Sequence, residues 1–391
     1  MPRKTIINHI FGYSNKKLCL PAKFFTGFDT LRFLCSNNHM KKALIAMSGG
    51  VDSSVAAYLT KQKGIDCIGC MMKLYDGPQG SSGRTCCSED DAFDARSVAF
   101  RLGIPFYVFN FKDDFGKKII DRFVSSYEAG ITPNPCIDCN RYMKFGCLME
   151  RAKILGCDYT VTGHYARIEQ TDDGFILKKS ADPAKDQSYV LYSLTQEQMS
   201  HILFPLGELS KDETRKIAEE NGFINASKPD SQDICFVPDG DYASVIQNRT
   251  GKIYTCGKFV DRSGNILGEH KGIINYTIGQ RKGLGISSDR PLYVCDIDTE
   301  KNEVVLGSNE DLFKTDVNVM DVNRIIPYKN GDRIRCKAKI RYRQTEQSAT
   351  LTFLEGDRAT LKFDEPQRAV TKGQAAVFYD GDTVIGGGTI C

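Results

Sequence analysis

No run of apolar residues in this chain approaches the length of a bilayer; the longest such stretches are single strands. Low-complexity tracts and long internal repeats are also missing. The phosphate-binding pattern GxxxxGK[ST] occurs nowhere in the 391 residues, so any nucleotide is held by something other than a Walker A loop. A global basic field is lacking too. The formal charge is +3, but residues 1–39 carry six basic residues (Arg3, Lys4, Lys16, Lys17, Lys23, Arg32) against Asp29, leaving residues 40–391 at −2. A nucleic-acid site must therefore be a local patch. The cysteines number 15, odd and scattered, which argues against a secreted disulfide scaffold and for a reducing, cytoplasmic setting.

What is present is ordinary for a soluble globular chain: 41% hydrophobic and 26% charged residues, at a length sufficient for two or three domains. Residues 1–39 show no sustained apolar period. Met40 opens "MKKALIAM", which reads as a chain start. The first 39 residues are taken as an upstream extension, with a basic, acid-poor targeting segment as the alternative.

From Lys41 onward, strand-like and helix-like segments alternate. "KALIAM" (42–47), "IDCIGCMMKLY" (65–75), "PFYVFNF" (105–111) and "DYTVTG" (158–163) read as strands. Helices are expected over 52–64, from Ser88 to Gly103, around 113–127 and over 140–155. This alternation implies a doubly wound parallel sheet with helices on both faces, whose ligands gather at the strands' carboxyl ends. "TQEQ" (195–198) and "SKDE" (210–213) are capping-box openings. Beyond about residue 252, short alternating runs punctuated by Gly, Asp and Asn suggest antiparallel units. The expected domains are an α/β domain over 40–205, a small mixed linker domain over 206–285 and a C-terminal β-barrel over 286–391.

"SGGVDSS" (48–54) joins the first strand to its helix. Gly49 and Gly50 permit a tight turn that aims successive backbone N–H groups at an anion beside the helix N-terminus. A plain glycine turn would need neither the serines nor Asp52. The strand–SGGVDSS–helix unit resembles the pyrophosphate (PP) loop of the ATP pyrophosphatases. These enzymes split ATP between its α- and β-phosphates and adenylate a substrate oxygen.

Roughly half a CxxC pair is expected by chance in a chain this rich in cysteine, and two occur. Cys67 and Cys70 lie in a predicted strand, where positions three apart face opposite sides, so they read as core. Cys86 and Cys87 precede a helix and read as structural. Cys136 and Cys139, in "NPCIDCN", follow two prolines expected to suppress regular structure. They precede Arg141 and Lys144, whose charges favour thiolate. "DSQDICF" (230–236) adds Cys235. No second close pair completes a four-cysteine zinc site. Three thiols suit sulfur chemistry or an iron–sulfur cluster with an open iron.

"SGGVDSS", "TPNPCIDCN", "TGHYAR", "KDQSYVLY", "DSQDICF" and "YTIGQRKGLG" occur in an order that resembles the tRNA-specific 2-thiouridylases, over nearly the whole chain after Met40. The resemblance implies that ATP adenylates the C2 oxygen of a wobble uridine and that sulfur then displaces AMP. It implies ATP contacts at Ala46, Met47, Ser48, Gly49, Gly50, Val51, Asp52, Ser53, Met72 and Gly163, with Mg²⁺ accompanying the nucleotide. It implies Cys139 as nucleophile and Cys235 as carrier of a persulfide supplied by a cysteine desulfurase or relay protein. It further implies tRNA contacts at Asn134, Pro135, Cys136, His164, Lys185, Asp186, Gln187 and Gln374; Arg341, Tyr342 and Arg343 are expected to join them. Many members of that family have aspartate where this chain has Cys136. Cys136, Cys139 and Cys235 together therefore leave a [4Fe–4S] cluster open as the sulfur carrier beside the persulfide.

"DRIRCKAKIRYRQ" (332–344) sets Arg333, Arg335, Lys337, Lys339, Arg341 and Arg343 in strict alternation. On one strand all six share a face for phosphate, while Ile334, Cys336, Ala338, Ile340 and Tyr342 face the barrel core. The other readings in view are a different adenylating synthetase, for which no glutaminase-type domain is apparent, and a non-catalytic RNA-binding or sulfur-carrier protein.

Overall fold

The computed structural model describes residues 40–75, 88–230, 234–237 and 240–391. Residues 1–39 and the Cys86–Cys87 pair lie outside the described residues.

Five parallel strands form the first sheet: β1 (Lys42–Ala46), β2 (Asp66–Lys73), β3 (Phe106–Asn110), β4 (Tyr159–Val161) and, later in the chain, β7 (Ile202–Leu203). Their order is β3-β2-β1-β4-β7. Alternation along β1 sends Ala43 and Ile45 into one apolar layer and Leu44 into the other. Cys67 and Cys70 on β2 divide the same way, each buried in a different layer. Burial pushes the Cys67 thiol up to about 11 and the Cys70 thiol higher still, so neither ionises near neutrality.

One face is covered by α1 (Val51–Gln62) and α2 (Glu89–Leu102), which contribute Val55, Ala56, Ala95 and Val98. Ser88 and Asp91 close a capping box on α2, and Gly103 ends it at φ +61°. On the other face, α3 (Lys112–Phe115) passes through a π-helical turn (Gly116–Ile120) into α4 (Asp121–Glu128). There follows a second interrupted helix: α5 (Pro135–Asp138), a π-helical segment (Cys139–Cys147) and α6 (Leu148–Ile154). Both cysteines of "NPCIDCN" therefore sit on a helix. Pro135 does not suppress structure here because it occupies the first helical position, where its missing N–H is no loss. Asn134 caps that helix by accepting from Cys136 N at 3.2 Å.

The antiparallel hairpin β5 (Ala166–Thr171) and β6 (Gly174–Lys179) leaves the first sheet altogether. Then come α7 (Gln196–Met199) and α8 (Lys211–Glu220), each opened by the expected capping box, and α9 (Tyr242–Thr250). Ala218 of α8 packs into the layer under α1. A second sheet joins β8 (Gly257–Asp261), β9 (Ile266–His270), β10 (Tyr293–Asp298) and β11 (Glu303–Gly307). The expected boundary after residue 285 falls inside this sheet, because β11 pairs in parallel with β8 and joins β10 to it.

The C-terminal strands are β12 (Phe313–Arg324), β13 (Arg333–Lys339), β14 (Gln347–Leu354), β15 (Arg358–Arg368), β16 (Ala375–Asp380) and β17 (Thr383–Ile390). They close into a barrel through β12–β17 pairing. The β5–β6 hairpin extends the same sheet by pairing Lys178 with Thr383 and Leu177 with Val384. The basic alternation holds along β13 but stops at Lys339, where the strand ends. Arg341 and Arg343 lie on the following turn, and Tyr342, expected in the barrel core, is 39% exposed. The physical reason is a local one: Gln344 Oε1 accepts from Ile340 N, bending the chain out of the ladder. Among the described residues, no helix is long and apolar enough to cross a membrane.

Candidate active site

The carboxyl ends of β1, β2 and β4 surround a cavity of about 210 Å³. Ala46, Met47, Ser48, Asp52 and Ser53 line it from the first turn, Met72 and Leu74 from the second, and Thr162, Gly163 and His164 from the third. Lys144 and Gln187 complete the lining. This is the switch-point geometry expected for a nucleotide on a doubly wound sheet. Gly50 is the N-cap of α1, and Val51 turns its side chain into the core beneath.

Two glycines set the shape. Gly49 adopts φ +77°, and a Cβ there would lie 2.4 Å from Asp91 O. A Cβ on Gly163 would lie 2.8 Å from Asp52 C and Ser53 N, so the start of α1 rests directly on the chain leaving β4. Of the serines, Ser53 Oγ accepts from Ser48 N at 3.2 Å and donates to Gly50 O at 2.9 Å, and Ser54 Oγ also donates to Gly50 O. These hydroxyls brace the loop itself.

Asp52 is held from the far side. Its Oδ1 accepts from Tyr165 OH at 2.8 Å and from Lys211 Nζ at 2.7 Å. Lys211 also reaches Asp230 Oδ1 at 2.7 Å, and Lys185 reaches Asp230 Oδ2 at 2.8 Å. Asp230 opens "DSQDICF", so two lysines anchor the start of the segment that carries Cys235. With these partners the Asp230 carboxyl is held below the usual range although burial opposes it.

His164 is buried against Phe145 and Phe204 at the cavity wall. Lys144 Nζ lies 3.2 Å from Nε2, and Thr162 Oγ1 lies 2.7 Å from Nδ1. A lysine ammonium can only donate, so Nε2 accepts and the proton resides on Nδ1. Burial first, and then the Lys144 charge, lower the His164 pKa well below its ordinary value. The imidazole is neutral at physiological pH.

Cys139 and Cys235 pack against the same apolar cluster, while Cys136 is exposed at the start of its helix. The i→i+5 winding of the π-helical segment places Lys144 one turn beyond Cys139. Tyr75, just past the cavity-lining Leu74, donates its hydroxyl to Cys235 O. The chain after β2 thus runs from the cavity to the Cys235 segment. Among the described residues, no group of three His, Cys, Asp or Glu side chains is disposed to hold a metal ion.

The segments expected at tRNA converge in pairs. Gln374 Nε2 donates to Thr132 O at 2.9 Å and Pro133 O at 3.2 Å, tying the barrel to the chain entering Asn134 and Pro135. Tyr342 OH donates to Asp186 O at 3.5 Å, joining the barrel turn to the 185–187 segment. Asp186 is otherwise occupied with Ser180 N and Ser188, and Gln187 Oε1 accepts from Tyr165 N. Arg341 does not project for phosphate. Its half-buried guanidinium donates to Arg368 O and, at 2.7 Å, to Ala369 O. Arg335 is paired in bidentate fashion with Asp364. Arg343, Arg333 and Lys337 are exposed.

Sequence reasoning missed Thr162, Leu74 and the placement of Lys144 in the cavity. It also missed Lys211, Asn225 and Lys228, which reach the loop from far along the chain. A period of hydrophobicity gives no sign of such long-range partners.

Comparison with known proteins agrees with this arrangement. Residues 41–239 match the family model described as tRNA methyl transferase HUP domain, residues 243–308 the tRNA methyl transferase PRC-barrel domain, and residues 314–390 the aminomethyltransferase beta-barrel domain. The tRNA-specific 2-thiouridylase MnmA of Clostridioides difficile is 52% identical over 353 residues, covering 90% of this chain and 98% of that protein. The corresponding protein of Lachnoclostridium phytofermentans is 51% identical, covering 90% and 99%. Among solved structures, the NMN synthetase of Francisella tularensis matches at 17% identity and a TM-score of 0.34, over 56% of this chain and 82% of that one. A 4-thiouridine synthetase–RNA complex with bound ATP matches at 18% and 0.33, over 54% and 50%. On the strength of its sequence relatives, the chain belongs to the tRNA-specific 2-thiouridylase family.

Proposed function

We propose that this chain replaces the C2 oxygen of the wobble uridine of tRNA with sulfur, consuming ATP and releasing AMP and pyrophosphate. The observation that carries the reading is the cavity at the carboxyl ends of β1, β2 and β4. It joins the Ser48–Ser53 turn to Lys144, a residue of the helix that bears Cys139. ATP takes its phosphates to the N-terminus of α1 and its remaining contacts from Ala46, Met47, Met72 and Gly163. Mg²⁺ enters with the nucleotide. The uridine O2 attacks the α-phosphorus and pyrophosphate leaves. Lys144 is a fixed cation for the charge that develops there. Neutral His164 cannot repel it by charge.

Sulfur reaches the site as a persulfide on Cys235, supplied by a cysteine desulfurase or a relay protein. Its terminal sulfur attacks C2 and AMP departs. The Cys139 thiolate then attacks the Cys235 sulfur, frees the thiocarbonyl and leaves a disulfide that a cellular thiol reopens. Cys139 and Cys235 pack against one apolar cluster, which supports a step that joins their sulfurs. The persulfide is preferred to a cluster on Cys136, Cys139 and Cys235 because, among the described residues, no group of three His, Cys, Asp or Glu side chains is disposed to hold a metal ion. We assign the reaction to the cytoplasm, where thiols stay reduced.

RNA is held by the barrel turn at Tyr342 and Arg343, the 185–187 segment and Asn134–Cys136. Arg281 and Arg290, which line a polar hollow of about 410 Å³ in the middle sheet domain, add basic surface. The test is nucleoside mass spectrometry after incubating iron-stripped protein with tRNA, Mg-ATP and a persulfide donor. 2-Thiouridine is expected, and Cys139→Ser and Cys235→Ser should each abolish it with ATP binding intact. Product from both variants would sink the assignment. Product only after cluster reconstitution would replace the persulfide with an iron-bound sulfide.

A further inference from the structure

The turn between β1 and α1 depends on a Gly49–Gly50 peptide, which is an unstable choice taken alone. With no Cβ on either side, such a peptide flips at little cost. In one orientation it offers an N–H to an anion, and in the other a carbonyl oxygen that repels it. Something outside the loop must select the orientation.

The Gly49 carbonyl is held by two side chains from beyond α8. Asn225 Nδ2 donates to it at 2.9 Å and Lys228 Nζ at 3.3 Å. Asn225 is 3% exposed, and its amide also donates to Ser54 Oγ at 2.9 Å, fixing it to α1. Lys228 bridges the carbonyl to Asp91 at 2.7 Å and Asp94 at 2.6 Å on α2. Two carboxylates already neutralise that ammonium, so its role at the loop is geometric. It is not a spare cation for phosphate. In a trans peptide the carbonyl and the following N–H point in opposite directions. A carbonyl fastened toward residues 225–228 turns the Gly50 N–H away from them.

We infer that Asn225 and Lys228 are positioning residues that hold the Gly49–Gly50 peptide with its N–H facing the nucleotide phosphates. The clamp also explains why a segment so far along the chain is stitched to three elements at once: the loop, α1 and α2. The inference rests on the ATP reading above.

The experiment is calorimetric titration of the full chain with ATP and, separately, with adenosine, which has no phosphate to meet the loop. Wild type should bind both. Asn225→Leu and Lys228→Met should each weaken ATP by about tenfold, the scale of one lost charge-assisted or buried hydrogen bond, and leave adenosine within about twofold. Lys228→Arg should restore ATP binding. Lys228 is 31% exposed at its side chain, so its methionine variant is expected to fold even if the Asn225 variant does not. Unchanged ATP affinity in Lys228→Met would overturn the inference. So would parallel loss of adenosine, which marks general damage. Failure of wild type to bind ATP would instead remove the reading beneath it.

Discussion

Replacing Gly163 with alanine tests the seating of the phosphate turn against β4 directly. The new methyl would sit 2.8 Å from Asp52 C and Ser53 N and 3.1 Å from Asp52 Cβ. Ordinary contact begins near 3.4 Å, so the start of α1 must retreat by about 0.6 Å. It is not free to do so. Asp52 is tethered at 2.7 Å to Lys211 and at 2.8 Å to Tyr165, and both atoms at 2.8 Å are backbone. Overpacking of this kind costs about 1–3 kcal/mol. Gly163 is not among the residues with positive φ, so the effect is one of space and not of backbone strain. Because Asp52 and Ser53 line the cavity, the displacement is felt where ATP binds. Affinity for ATP should fall roughly 10- to 100-fold, the equivalent of that strain in a binding constant. Equilibrium dialysis with labelled ATP measures it. Gly156→Ala is the control: φ there is +67° with nothing within 4 Å, so about 1 kcal/mol of stability is lost and ATP affinity stays. Should Gly163→Ala bind ATP within twofold of wild type, the idea that this gap seats the helix is refuted.

Four further outcomes are expected. His164 has a depressed pKa in the folded state, so its contribution to stability is complete above the unfolded value near 6.5 and declines as pH falls below it. Urea melts at pH 7.5 and 5.5 should show His164→Gln flattening that decline, though not abolishing it, since burial also lowers His270. Gln374→Leu should release the chain before Asn134, reducing 2-thiouridine yield with ATP affinity unchanged. Equal yield would deny the barrel a part in aligning the Cys139 helix. Arg341→Ala should lower stability by about 1.5–3 kcal/mol through two carbonyls left without a charged donor, seen in denaturant melts. Arg343→Ala should leave stability unchanged and reduce the salt slope of tRNA binding by about one phosphate contact, and an unaltered slope would remove it from the RNA surface.

The parts of the molecule legible in the sequence are those governed by near neighbours. The parallel strands, the capping boxes at Ser88, Thr195 and Ser210, and the opposed burial of Cys67 and Cys70 all follow from residues a few positions apart. The same is true of the Gly49 turn. Where sequence reasoning departed from the structure, a distant contact or a positional exception decided. Pro135 looked like a breaker but sits at the one helical position that tolerates it. The alternation through Arg343 looked like a strand, yet the Gln344 side chain bends the chain after Lys339. The boundary near residue 286 followed composition, whereas β11 reaches back to β8. Lys211 and Lys228 carry no local pattern at all. Their meaning lies in Asp52 and Gly49, which only the fold brings near.

The β5–β6 hairpin gives the chain an order of completion. Leu177 and Lys178 are synthesised in the first half of the protein, but their partners Val384 and Thr383 belong to its last strand. Until Thr383 and Val384 are made, the outer edge of β6 at Leu177 and Lys178 therefore lacks its strand partner, although the Gln196 side chain already answers both backbone groups of Phe175. That same last strand closes the barrel on β12. A chain without β17 thus leaves three strand edges unpaired on one molecule, those of β6, β12 and β16.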